Sequence, residues 1–188
     1  MEERLREQLE EGEQLLWTGK AEPYETLDAV HKRPFTLKCV IGYLIALAVI
    51  VTYVSVARET GIQPLLILLV LAIASIGPLN VLGDGRKLRR AVYAATDRRL
   101  IAVGENVRSV EYDKIAEAAF REDEAGHVSL LCGYNALKAK SAKWREITLV
   151  GHTFDEDDKS RCAAFALYAV DDANGLKKVL REKIPGVL

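Results

Sequence analysis

The chain has 188 residues, 49% of them hydrophobic and 28% charged, with a formal net charge of -1. That length suits one domain with room for a little more, and the near-neutral balance excludes the global basic field of a nucleic-acid-binding protein. The mean hydropathy of +0.03 averages strongly apolar stretches with polar ones.

The N-terminal stretch "MEERLREQLEEGEQLLW" is acidic and lacks an apolar core, which is not the pattern of a cleavable signal peptide. Leu5 and Leu9 stand four apart, the spacing of a short amphipathic helix, here ending near Gly12. Otherwise residues 1–35 read as a solvated, cytoplasmic leader.

Two uncharged runs follow, Cys39 to Ala57 and Gly61 to Gly83. At 1.5 Å rise per residue each covers roughly 30 Å, the hydrocarbon thickness of a bilayer. They predict membrane spans at about 37–57 and 62–82, inside a helical hairpin over 36–83. Only Arg58-Glu59-Thr60 links them, so the spans are antiparallel and both flanks lie on one side. His31, Lys32, Arg33 and Lys38 precede the first span, and Arg86, Lys87, Arg89 and Arg90 follow the second. Lys and Arg close to span ends mark the cytoplasmic side, so both termini are expected in the cytoplasm. The two uncharged runs, Cys39–Ala57 and Gly61–Gly83, hold no Asp, Glu, Lys, Arg or His, the groups that mark ion or proton pathways. They therefore read as an anchor. Gly77-Pro78 is expected to kink the second helix, and "GDGRK" at Gly83–Lys87 to break it at the membrane surface.

From residue 84 the pattern changes to short β-rich runs. Val92–Thr96 and Leu100–Val103 read as a hairpin around Asp97-Arg98, since Asp bonds nearby backbone in turns. "VRSVEYD", "AEAAF", "HVSLLCGY", "REITLVGHTF" and "CAAFALYAV" give five further strand candidates. "NALKAKSAKW" fits a loop or a short helix. The chain closes on a helix at about 172–184, capped by Asp171 or Asp172 and stopped by Pro185-Gly186. Its apolar stripe is Leu176, Val179, Leu180 and Ile184; Lys177, Lys178, Arg181 and Lys183 line the other face.

The combination of "GEQLLWTGKAEP", two spans, "YAATDRRLIAV", "VRSVEYDKIAEA", "GHVSLLCGY" and a last strand and helix resembles the bacterial membrane proteins that carry a PH-like (pleckstrin-homology-like) domain. The resemblance covers most of the chain. It implies an α+β, membrane-anchored fold: a PH-like β-sandwich or barrel of about seven strands over 84–188, capped by the C-terminal helix. It also implies a first strand at 14–20, placed before the membrane hairpin, and a home in the bacterial inner membrane. Tyr93, Thr96, Asp97, Arg98 and Arg99 are its hairpin motif. Phosphoinositide binding is not implied, because one fold hosts many ligands.

Chemistry is sparse. Cys39, Cys132 and Cys162 are scattered without a C-x-x-C pair, which fits buried thiols in a reducing compartment. His31, His127 and His152 are isolated, although His127 and Cys132 share one candidate strand. "GDGRK" lacks the P-loop spacing, no G-x-S-x-G is present, and the acidic Asp155–Asp158 lacks the glycine and distal glutamate of a calcium loop. No cofactor, metal or catalytic group is expected, and the chain does not read as an enzyme. The suggestive feature is the basic set Lys32, Arg33, Arg86, Lys87, Arg89 and Arg90, as contacts for anionic lipid headgroups. Arg98 and Arg99 either join that set or are ordinary solvated turn residues. The expected function is a membrane-tethered interaction module that binds a protein partner or an anionic lipid surface, with self-association through open strand edges as a further route. The alternative is an accessory subunit of a membrane enzyme or transport complex. It would dock through the hairpin's small residues, Gly42, Ala46, Ala48, Ala72, Ala74 and Gly77.

Overall fold

A computed structural model describes residues 2–22, 29–57, 61–150 and 164–185. The chain divides into two compact units: Met1–Val30 together with Gly85–Leu188, and His31–Asp84.

The first unit is mixed α+β. After a short helix α1 (Glu2–Arg6), strands β1 (Leu15–Lys20), β2 (Val92–Thr96), β3 (Arg99–Val103) and β4 (Val107–Glu111) form an antiparallel sheet in the order β1-β2-β3-β4. Strands β5 (Ala118–Glu122), β6 (Val128–Cys132) and β7 (Phe165–Leu167) form a second antiparallel sheet in that order. Helices α4 (Tyr134–Lys138) and α5 (Ser141–Val150) lie between β6 and β7 in the chain, and α6 (Ala173–Lys183) closes it.

Alternate strand residues face opposite sides of a sheet. Tyr93, Ala95, Leu100 and Ala102 therefore turn one way, into a core shared with Leu130, Phe165 and Leu167 of the second sheet and Leu176 and Leu180 of α6. Val92, Ala94, Ile101 and Val103 turn the other way and are covered by Leu5, which is 2% exposed. The N-terminal stretch is thus no solvated leader. Burial on both faces is why β2 and β3 read as near-continuous apolar runs instead of alternating. The outer face of β6 and β7 is covered in the same way. Leu131, Ala166 and Tyr168 pack with Ala136, Trp144, Ile147 and Leu88.

The segment "REITLV", expected as a strand, is the second half of α5. Trp144, Ile147 and Thr148 are buried at helical spacing. A short apolar run carries either period, and here packing of that face on β7 selects the helix. "NALKAKSAKW" becomes α4 and the start of α5. The rest of the expected strand at 151–154, with His152, the acidic Asp155–Asp158 and Cys162, lies outside the described residues.

Trp17 of β1 donates its Nε1–H to Asp172 at 3.0 Å, while the other oxygen of Asp172 accepts the Gly175 N–H at 2.9 Å and caps α6. One carboxylate thereby ties the first strand to the last helix. An added Cβ at Gly175 would stand 2.0 Å from that carboxylate, so a larger residue there would have to displace it and break the tie.

The second unit consists of most of α2 (Ala29–Val56) and most of α3 (Pro64–Arg89). The less exposed residues of α2 include Cys39, Gly42, Ala46, Ile50 and Tyr53; those of α3 include Ile67, Val70, Ala74 and Pro78. Both sets recur every three or four residues, the seam along which helices meet. Tyr43 and Ser75 share a hydrogen bond of 3.2 Å, and the Tyr53 hydroxyl accepts the Gln63 N–H at 2.9 Å. Outside the seam the surface is apolar and open; Leu44 and Ile45 are each 60% exposed and Leu65 is 75% exposed. Within α2, Phe35–Val56 is long and apolar enough to cross a membrane by length and composition. The apolar part of α3, Pro64–Leu79, is shorter.

α3 runs on through Gly77-Pro78 and through Gly83–Lys87 to Arg89, so "GDGRK" does not break it. A helical glycine costs only about 1 kcal/mol. Leu88 in the last turn is fully buried among Leu131, Trp144, Ile147 and Tyr168, which offsets that cost.

Candidate functional site

The hairpin motif is built from the inside out. Tyr93 is fully buried and its hydroxyl donates to the Tyr168 carbonyl at 2.9 Å; burial pushes the phenol well above its ordinary pKa. Thr96, also fully buried, accepts the backbone N–H groups of Arg98 (3.2 Å) and Arg99 (3.0 Å) and so closes the turn. Its own hydroxyl proton goes to Glu13 Oε1 at 2.7 Å. Asp97 accepts the Gln14 N–H at 2.8 Å and returns its own N–H to the Gln14 carbonyl at 2.9 Å.

Arg99 completes this clamp. Its Nε and one terminal nitrogen each reach a different oxygen of Glu13 at 2.9 Å, and the same terminal nitrogen donates to the Gln8 carbonyl at 2.9 Å. The Glu13 side chain is fully covered, and the Arg99 hydrogen bond holds its carboxyl down at about 2, against the opposing effect of burial. Arg98 stays half exposed, 3.4 Å from Glu10. Of the two arginines read as lipid contacts or solvated turn residues, Arg99 is neither: it is committed to the N-terminal segment. The motif is a fastening that leads β1 into the sheet. Glu13 is the member the sequence reading missed. The acidic run Glu10–Glu13 was its signal, masked by the solvated look of the leader.

The other basic residues are placed differently. Lys32 and Arg33 are exposed on α2, in the helical unit. Arg86, Lys87 and Arg89 occupy the last turn of α3, within the β unit, and Arg90 follows. Lys87 pairs with Glu105 at 2.9 Å, both side chains substantially open to solvent. Arg86, Arg89 and Arg90 are exposed. Cations in the last turn of a helix also complement its dipole.

His127 just precedes β6 and Cys132 ends it, roughly 16 Å apart at the usual strand rise. His127 faces Asp123 (3.4 Å) and Glu22 (3.9 Å), whereas Cys132 is buried beside Ala118 and Phe165 in the ladder. Asp123 spends its oxygens on the turn before β6, accepting the N–H groups of Ala125 and His127 and the Tyr168 hydroxyl. Among the described residues, no three of His, Cys, Asp and Glu gather closely enough to hold a metal ion. Neither Cys39 nor Cys132 is disulfide-bonded.

Of the hairpin's small residues, Ala46 is buried, and Gly42 and Ala74 are half-buried along the seam between α2 and α3; Ala48, Ala72 and Gly77 are exposed. Compared with protein-family models, with curated proteins and with solved structures, the chain matches none of them.

Proposed function

We propose that this is a non-enzymatic module of PH-like fold, held on the cytoplasmic face of a bacterial inner membrane by a two-span hairpin, whose basic collar rests on anionic lipid. One observation carries the reading. Lys20, the last residue of β1, and Val92, the first of β2, are register partners in adjacent strands. The whole apolar excursion therefore departs and returns within roughly 5 Å. If α2 takes the chain across a bilayer, α3 has to bring it back, so a single crossing is incompatible with a β1 that pairs with β2. A four-strand sheet, a three-strand sheet and a closing helix in that chain order support the PH-like assignment.

Arg86, Arg89 and Arg90 stand at the point of return, and each cation near an anionic leaflet contributes about 1 kcal/mol. Both tryptophans, Trp17 and Trp144, belong to the β unit, so energy transfer to a headgroup dye reports on that unit alone. The test places the full chain in nanodiscs of neutral or anionic lipid carrying such a dye. Transfer is expected to be stronger over anionic lipid, and to fall with salt and on replacing Arg86, Arg89 and Arg90 with Gln. Equal transfer over both lipids would reduce the collar to a topology signal.

A further inference from the structure

We infer that the open edge of β5, together with α6, is a docking groove for an extended acidic peptide, which would add to the second sheet as an outer strand. This stands on the β unit alone and does not depend on the lipid reading. β5 is the outermost strand of its sheet, pairing with β6 from Ala118 to Glu122. In an antiparallel pair every second residue turns both its N–H and its C=O away from the partner. Among the described residues no backbone hydrogen bond reaches that outer edge. An open edge is a template for another strand.

Beside the edge lies a groove of about 620 Å³, lined by Ala118, Ala119, Phe120, Lys177, Arg181 and Pro185. Its chemistry is one-sided. Among the described residues two cations line it and no carboxylate does, and neither Lys177 nor Arg181 makes an ion pair. The Lys177 ammonium stands 5.1 Å from the centre of the half-buried Phe120 ring, so one wall offers an apolar face with a charge above it. The two cations are one helical turn apart on α6, whose buried stripe of Leu176 and Leu180 fixes the helix against the core.

These features select the occupant. A strand added to β5 presents alternate side chains to the groove, and there carboxylates meet Lys177 and Arg181. Main-chain pairing supplies affinity, and the charged pocket supplies selection. A neutral or basic strand would leave the two cations without partners.

The probe is a labelled, capped peptide of alternating glutamate and threonine, titrated by anisotropy against the full chain in neutral-lipid nanodiscs. Saturable binding is expected. It should weaken about tenfold or more on the paired change Lys177→Glu and Arg181→Glu, and less, in the same direction, with Gln at both positions. A peptide of alternating lysine and threonine should show the reverse preference, binding the Glu variant better than the native chain. Methylating the peptide's alternate backbone nitrogens should abolish binding, because strand addition needs those N–H groups. No saturable binding to the native chain, or equal binding to all variants, overturns the inference and leaves the two cations as guards of the edge. The inference also fails if the Glu variant keeps peptide binding but loses energy transfer to anionic nanodiscs; α6 would then face lipid.

Discussion

Two arginine clusters bracket β2, and they have opposite fates. Arg98 and Arg99 sit at its far end in the turn to β3, where Arg99 is 18% exposed and locked to a covered glutamate. Arg86, Arg89 and Arg90 sit at its near end with their side chains exposed. Composition does not separate them, since both read as charged knots beside an apolar run. What marks Arg99 is a carboxylate from a distant part of the chain. Glu13, 86 residues before Arg99 in the chain, reaches it from the N-terminal segment, while beside the other cluster the pair of Lys87 with Glu105 is open to solvent. One end of the strand is used to assemble the domain, and the other remains open to its surroundings.

The largest effect that would sharpen this contrast is Arg99→Met. It leaves the Glu13 carboxylate covered and without its cation, and should cost about 3 kcal/mol in denaturant unfolding of the full chain. A loss below about 0.5 kcal/mol would put Arg99 in the same class as the open cluster. Leu5→Ala, which uncovers Val92, Ala94, Ile101 and Val103, should cost about 2 kcal/mol by the same assay; no change would restore the leader to a solvated role.

Acid offers a third route. The Glu13 carboxyl titrates at about 2 in the folded chain, below its ordinary value of 4.5. A depressed carboxyl contributes stability that is complete above the unfolded value and fades as pH falls from about 4.5 through 2. The loss should be on the order of 1.5 kcal/mol once solvent screening at the pair's open side is allowed for. In the Arg99→Met protein that component of the acid transition should vanish. The smallest effect belongs to the open cluster. Replacing the exposed Arg86 and Arg90 with Gln should move stability by no more than about 0.5 kcal/mol while changing the lipid dependence of energy transfer. A large destabilisation there would erase the contrast.

Much of the β unit was legible because strands and the last helix announce themselves locally. The hairpin at Val92–Val103 and the stripe Leu176, Leu180, Ile184 need no distant information. What was hidden depends on long-range packing. Leu5 looks solvated until β2 and β3 present a second apolar face. Ile147 and Leu149 alternate like a strand until Trp144 and Ile147 pack together on β7. Gly83 and Gly85 look like a helix break until Leu88 is seen buried. The open groove was hidden for a related reason: Lys177 and Arg181 look like an ordinary solvated face until an edge strand lies beside them.

The most direct test of the tethered-module account is sidedness. Single cysteines at Glu11, Gly61 and Lys178, each in a chain whose native cysteines are replaced by serine, would be challenged with an impermeant maleimide in inverted membrane vesicles. The account predicts that Glu11→Cys and Lys178→Cys label from the outside of such vesicles, where the cytoplasmic face is turned out, and that Gly61→Cys labels only after the vesicles are opened. Labelling of all three from one side, or of Glu11→Cys and Lys178→Cys from opposite sides, would contradict it.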